Sequence, residues 1–473
     1  MVSDIFEEDV YGALKSWADV REYLKTSSAV VVRIPENELS AEETLELSPF
    51  DMVNLGRAVS MVWHYDVALD CGQLVSSLRK MLVHYPVLSG RYSSSSPTVI
   101  DLNNKGVPVE ICTVDGNIRE AVSHLTPSRE SGPSSFDAGR VDTFLPSNKN
   151  MMDPDKRSPE APLFAVKISL FEKGTTIGVL LQHGVCDAEA DISFMSNWSC
   201  AFRGLSMDNP PVHNRMGACG SQDQPVEDCQ GIRERIKLVP NGEIAMPEFA
   251  PVMPKIMGRS VCLVPFSKSV LSTFKRECQA ALPERTFVST DDVLTAKVWK
   301  ALCKSRCKQL SISLDSSEPT TCMRACNVRR RVHPRLAPGY CGNCVINIYT
   351  VMTVQELLSM SVTEVALRLR TNIQKECTPG RILALSTWMK VHQDTGLQTK
   401  ITFDAKALTF IISSWIFPGA GWEGVDFNAI PICFDHGCLK PVVANFTPRP
   451  GGDGINVWTS GTKEAMECYA DSL

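Results

Sequence analysis

An α/β architecture in two halves is what the 473 residues predict, on three observations. Helix-period and strand-period patterns alternate along most of the chain. A stretch at 205–257 interrupts them with Pro210-Pro211, Pro225, Pro240, Pro247, Pro251 and Pro254 and little periodicity. So long a stretch is uncommon inside a compact domain and reads as a crossover between two halves. The composition, 44% hydrophobic and 21% charged, is that of a folded chain rather than a disordered one. The expected division is an N-terminal half at 1–204, a crossover linker at 205–257 and a C-terminal half at 258–473.

In the first half, Leu74, Leu78, Met81 and Leu82 fall on one face of a helix over 74–83, which Tyr85-Pro86 stops. A strand is predicted over 163–171, a turn at Lys173-Gly174, and a second, largely buried strand over 175–182. Ile192, Met195, Ser199 and Phe202 then line a helix that ends at Gly204. In the second half, 261–265 predicts strand and 270–281 and 291–304 predict helices. Further strands are expected at 345–351, 408–415, 442–446 and 454–460, and loops at 126–161 and at Pro450-Gly451-Gly452-Asp453-Gly454.

Charge and termini narrow the function classes. A net charge of −5 and a pI of about 6.0 disfavour nucleic acid and anionic membranes as partners. No apolar run approaches the ~20 residues of a membrane helix. The acidic start Met1-Val2-Ser3-Asp4-Ile5-Phe6-Glu7-Glu8 has no basic segment before an apolar one, so a cytoplasmic protein is expected. Its 18 cysteines are then expected as free thiols. Cys322-x3-Cys326 and Cys341-x2-Cys344, with His333 between, imitate a zinc ribbon. Cysteines run through the whole chain, however (Cys71, Cys112, Cys186, Cys200, Cys303, Cys307, Cys433, Cys438), and such usage produces close pairs without a metal. No metal is expected.

Chemistry concentrates in Gln182-His183-Gly184-Val185-Cys186-Asp187. A histidine stands at the C-terminal end of a buried strand, with an aspartate four residues on as a helix begins. Strand ends are where α/β sheets present reactive groups. The residues alone allow two readings: a buried imidazole beside a helix-capping aspartate, or a general base.

With its surroundings, the segment resembles the BAHD acyltransferases, and the resemblance covers nearly the whole chain. Pro162-Leu163-Phe164-Ala165-Val166 through Asp187 matches the family's strand–turn–strand ending in His-x-x-x-Asp, with Trp198 and Arg203-Gly204 behind it. Upstream, Tyr85-Pro86-Val87-Leu88-Ser89-Gly90-Arg91 matches an early helix and turn. Downstream, Ser289-Thr290-Asp291-Asp292-Val293 with Trp299, Asn327-Val328-Arg329, Tyr340-Cys341-Gly342-Asn343, Ser413-Ser414-Trp415 and Asp453-Gly454-Ile455-Asn456-Val457-Trp458 follow in the family's order.

The resemblance implies two similar chloramphenicol-acetyltransferase-like halves, each a mixed sheet flanked by helices, with the active site at their interface. It implies acyl transfer from coenzyme A to a hydroxyl or amine of a small specialised-metabolite acceptor, by a monomer with acyl-CoA as co-substrate and no permanently bound cofactor. His183 is then the general base and Asp187 its structural support, paired with Arg329. Ser413 and Trp415 lie near the reacting centre. A polyanionic cofactor in an acidic chain needs a local basic patch. Lys300, Lys304, Arg306, Lys308 and Arg285 are candidates, and Arg285 with Ser289 is the choice the resemblance favours. Two departures mark a divergent member: Ala188 follows the motif aspartate where many members have glycine, and Asp-Phe-Gly-Trp-Gly reads here as Asp426-Phe427-Asn428-Ala429-Ile430. A condensation-type enzyme with a carrier-protein donor would usually show His-His, and Gln182 holds the first position. A non-catalytic protein of the same fold is the third reading.

Overall fold

Two mixed sheets carry the molecule, each covered by amphipathic helices. The computed structural model describes residues 29–125, 133–147, 159–207, 209–219, 227–241, 243, 247–417, 424–437 and 440–473. The N-terminal segment before residue 29, much of 126–161, parts of 205–257 and Cys438 lie outside the described residues.

The first sheet has six strands in the order Ala29–Val32, Val107–Thr113, Phe164–Phe171, Gly174–Gln182, Ala58–Tyr65 and Cys433–Asp435. Phe164–Phe171 and Gly174–Gln182 form an antiparallel hairpin closing on Phe171 opposite Gly174. Every residue of Gly174–Gln182 is buried, because helices and neighbouring strands cover both faces of this central strand. Helix Cys71–His84 starts at Asp70, whose Oδ1 accepts from Gln73 N at 2.7 Å, and buries Leu74, Leu78, Met81 and Leu82. Beside it lies helix Ala188–Phe202, whose Ile192, Met195 and Trp198 enter the same core.

The second sheet orders seven strands as Val345–Thr353, Pro319–Asn327, Thr409–Ser414, Val443–Pro448, Gly454–Gly461, Ser260–Ser267 and Ser134–Asp137. Helices Thr290–Leu310, Val362–Glu376 and Lys463–Ala470 cover it, with Trp299, Leu369 and Tyr469 fully buried. The halves exchange strands: Ser134–Asp137, early in the chain, pairs with Ser260–Ser267 of the second sheet, whereas Cys433–Asp435, late in the chain, pairs with Ala58–Tyr65 of the first.

Regular structure also enters the two stretches expected as loops. Within 126–161 stand the strand Ser134–Asp137 and the helical turn Gly139–Asp142. Within 205–257 the strand Ile236–Pro240 pairs with Leu397–Ile401, and the turns Arg215–Cys219 and Gln230–Arg233 pack into a core. Short elements with distant partners leave no periodic trace, which is why local pattern missed them.

The turn over 139–145 packs so closely on the first sheet that a Cβ at Gly178 would lie 1.8 Å from the Phe144 carbonyl oxygen. Backbone cannot yield as a flexible side chain would. Gly178→Ala is therefore expected to cost about 1–3 kcal/mol by overpacking, read as a lower urea midpoint at unchanged slope.

Candidate active site

His183 follows the central strand of the first sheet and is locked by its backbone. Its N–H donates to the Arg57 carbonyl at 2.8 Å, and its carbonyl accepts from Asn343 Nδ2 at 2.8 Å across the seam between the halves. The ring Nδ1 lies 3.1 Å from the Cys186 carbonyl oxygen. A carbonyl only accepts, so Nδ1 carries the proton and Nε2 keeps its lone pair. The ring is partly accessible yet closely surrounded by protein. Burial, reinforced by the Arg57 charge and opposed by Asp187, holds its pKa below the ordinary imidazole value. The imidazole is neutral at physiological pH.

Asp187 points away from that ring. Its Oδ1 caps helix Ala188–Phe202 by accepting from Ala190 N at 3.2 Å. Both oxygens meet the Arg329 guanidinium, Nη1 to Oδ2 and Nη2 to Oδ1, each at 2.7 Å, and Cys344 N adds 2.9 Å to Oδ2. Burial alone would raise the Asp187 carboxyl; the Arg329 charge and these donors outweigh it and hold it below the usual carboxylate range. Arg329 also donates to the Gly342 carbonyl at 2.6 Å and lies 5.4 Å from the Tyr340 ring centroid. The pair joins the first half to the second directly behind the histidine.

A second buried ionic group was not anticipated from the sequence. Asp51, fully buried, accepts at Oδ1 from Asn343 N and Nδ2, both at 2.9 Å, and from Arg215 Nη1 at 3.4 Å. Arg215 opens the turn Arg215–Cys219 and also donates to the Val185 carbonyl, inside the His-x-x-x-Asp turn. The signal available was Asn343 beside Cys341-Gly342; nothing local marked Asp51 or Arg215. Cys186, within the motif, spends its thiol on the Cys341 carbonyl at 3.2 Å, and burial pushes its pKa far up. It is not poised as a nucleophile.

Ser413 and Trp415 stand at the end of strand Thr409–Ser414, bonded to each other, Trp415 Nε1 to Ser413 Oγ at 3.2 Å. Trp415 packs on His436 at 4.6 Å and Phe434 at 6.1 Å, so it bridges the second sheet to the strand Cys433–Asp435 of the first. The hydrogen bonds of these two residues and those of His183 go to different partners.

The basic candidates divide sharply. Lys300 Nζ is spent on the carbonyls of Leu357, Leu358 and Met360, at 2.6, 3.2 and 2.5 Å. Arg306, buried, donates to the Ala407 and Pro441 carbonyls at 2.9 and 2.7 Å. Both hold the fold together, which corrects the expectation that they were candidates for a phosphate patch. Arg285 is exposed in a left-handed turn at φ 66°. Ser289 caps helix Thr290–Leu310, its Oγ 2.6 Å from Asp292 Oδ2.

Asp426-Phe427 is tied into the first half by an ion pair and an aromatic cluster. Asp426 pairs with Arg203 at 3.0 Å, and Phe427 is buried among Tyr65, Trp198 and Phe202. Downstream, Asp435-His436-Gly437 keeps the aspartate and first glycine of Asp-Phe-Gly-Trp-Gly at their spacing, with Lys440-Pro441 behind. Asp435 is buried 4.0 Å from His124 Nε2. Burial pushes its carboxyl up to about 8; a backbone hydrogen bond at His436 opposes this and the Asp142 charge adds to it. A folded-state pKa above the unfolded one contributes stability below the ordinary carboxylate value and loses it as pH rises toward about 8. Asp435→Asn is expected to flatten the fall in urea stability between pH 5 and pH 8.

Comparison with known proteins places this arrangement. Agmatine hydroxycinnamoyltransferase 1 of Oryza sativa subsp. japonica is 25% identical over 331 residues, 68% of this chain and 68% of its own length. Stemmadenine O-acetyltransferase of Catharanthus roseus is 23% identical over 445 residues, 91% of this chain and 92% of its own. Solved vinorine synthase superposes with a TM-score of 0.65 at 18% identity, over 93% of this chain and 95% of that one. TRI101 of F. sporotrichioides, solved with coenzyme A and T-2, gives 0.67 at 21% identity over 89% and 96%. The fold is thus that of the two-halved α/β transferases. The sequence model of the Transferase family matches residues 25–472, and the chain belongs to that family, the BAHD acyltransferases, which use acyl-CoA as co-substrate.

Proposed function

We propose that the protein transfers an acyl group from coenzyme A to a hydroxyl or amine of a small specialised-metabolite acceptor, with His183 as general base. One observation carries the reading: the tautomer fixed by the Cys186 carbonyl leaves a neutral Nε2 at the seam between the halves. Nε2 takes the acceptor's proton as its oxygen or nitrogen attacks the thioester carbonyl. The tetrahedral intermediate collapses, the C–S bond breaks, and the proton passes to the leaving thiolate, giving ester or amide and free coenzyme A. Such base catalysis contributes roughly 10²–10⁴-fold. The Ser413 hydroxyl, which accepts from Trp415 Nε1 and keeps its own hydrogen, is the donor assigned to the oxyanion, with Trp415 holding it, and Arg285 and Ser289 are the contacts assigned to the cofactor. Asp187 with Arg329 holds the turn that carries the base. The protein is taken to act as a cytoplasmic monomer, with 205–257 as the crossover between its halves.

The test is thiol release from acetyl-CoA and malonyl-CoA, with and without a panel of alcohols and amines. Acceptor-dependent release supports the reading. No release with any acceptor, together with acylation from a loaded carrier protein, would transfer it to the condensation-type alternative.

A further inference from the structure

The turn that carries the base is held through its main-chain carbonyls. The His183 carbonyl accepts from Asn343 Nδ2 at 2.8 Å, and the Val185 carbonyl accepts from Arg215 Nη1. The Cys186 carbonyl, one residue on, is the acceptor that fixes the imidazole tautomer. Asn343 and Arg215 come from distant parts of the chain, yet both converge on one atom, Asp51 Oδ1. Asn343 N and Nδ2 reach it at 2.9 Å each and Arg215 Nη1 at 3.4 Å. The other oxygen is spent locally: Asp51 Oδ2 accepts from Ser48 N and Oγ, at 2.9 and 2.8 Å, in the capping box of the short helix Pro49–Met52. Asp51, Ser48 and Asn343 are fully enclosed, and Arg215 is 3% exposed.

The Asn343 amide has no freedom left. The hydrogens on Nδ2 meet the Asp51 carboxylate and the His183 carbonyl, and Oδ1 accepts from Asn54 Nδ2 at 3.2 Å. Turned over, the amide would set its oxygen against two acceptors, so the carboxylate fixes its orientation. Asp51 also supplies the counter-charge for the buried Arg215 guanidinium. Without that carboxylate the amide is free to turn and the guanidinium lacks its partner, and both carbonyls of the catalytic turn lose their fixed donors together. Misplacing a catalytic group by about 1 Å costs on the order of 10²-fold in rate. A carboxylate bonded to neither ring nitrogen of His183 can thus act on the rate through the donors it holds.

We propose that Asp51 is a positioning residue for the transfer reaction, holding the main chain of the His183 turn through Asn343 and Arg215 and so aiming Nε2. The proposal rests on the reading of His183 as general base. It gives Asp51 a task different from that of Asp187, which with Arg329 secures the helix behind the turn. Segments around residues 51, 183, 215 and 343 must therefore meet before the base is aligned.

Two readouts separate this from a merely structural role, one of them independent of turnover. Transfer is measured with the donor and acceptor that the thiol-release panel identifies, in wild type, Asp51→Asn, Asn343→Ala, the double variant and Ser48→Ala. Asp51→Asn and Asn343→Ala are each expected to lower kcat about tenfold to 10²-fold, with KM for acyl-CoA within about twofold of wild type. The double variant should be no slower than the slower single one, because both act through one link. Ser48→Ala touches Oδ2 alone; it should lower the melting temperature and leave kcat within about twofold. The second readout is the imidazole nitrogen NMR spectrum of histidine-labelled protein, with the His183 signals assigned by their loss in His183→Ala. Wild type should show Nδ1 protonated and Nε2 bare, and Asp51→Asn a mixture of tautomers. No substrate is needed for that spectrum, so it survives a failure of the acyl-transfer reading. If a folded Asp51→Asn keeps wild-type kcat or, where no acceptor supports turnover, keeps the wild-type His183 spectrum, the proposal is wrong. Should Asp51→Asn fail to fold, Asn343→Ala decides by the same criteria.

Discussion

His183→Ala is expected to lower kcat/KM by at least about 10²-fold while leaving the melting temperature within a degree or two of wild type. The ring bonds only outward from a turn that other groups hold: Arg57 and Asn343 fix its backbone, and Asp187 fixes the helix that follows. Removing the imidazole therefore removes the base and little of the scaffold. In wild type the acid limb of the pH–rate profile should fall below the ordinary imidazole value, because burial and Arg57 disfavour the cation. Near-normal turnover in His183→Ala would take the residue out of the mechanism.

Breaking the pair behind it should act mainly on stability. Asp187→Ala and Arg329→Ala are each expected to cost about 3–5 kcal/mol, since each leaves the other charge buried without its partner. The double variant should lose much less than the sum, which a double-mutant cycle in urea would measure. The carboxyl is depressed on folding, so the contribution of the pair is present above the ordinary carboxylate pKa and is lost as pH falls through the lower, folded-state one. Simple additivity, or an Asp187→Ala protein that is stable but inert, would place Asp187 in the chemistry instead.

The parts of the fold legible in the sequence are those whose signal is local. The hairpin Phe164–Phe171 to Gly174–Gln182 shows itself through two apolar runs and Lys173-Gly174; helix Cys71–His84 shows itself through four apolar residues on one face and a stop at Tyr85-Pro86. The exchanged strands Ser134–Asp137 and Cys433–Asp435 are only four and three residues long, and their partners lie far away in the chain. No window of sequence contains the cause of their structure. The site divides in the same way. His183 and Asp187 were visible because a polar pair closes two apolar elements, whereas Asp51, Arg215 and Arg57 acquire meaning only when distant segments meet.

Strand exchange also sets an order of events during synthesis. A ribosome adds roughly 5–20 residues per second, and Ala58–Tyr65 must wait for Cys433–Asp435, far later in the chain, before its outer side is paired. For some tens of seconds the nascent chain presents an open strand edge, the template on which other chains add. A transcript truncated before codon 433 would leave that edge open permanently. Yield in a foreign host should therefore depend on how well the growing chain is shielded, more than on the stability of the finished enzyme.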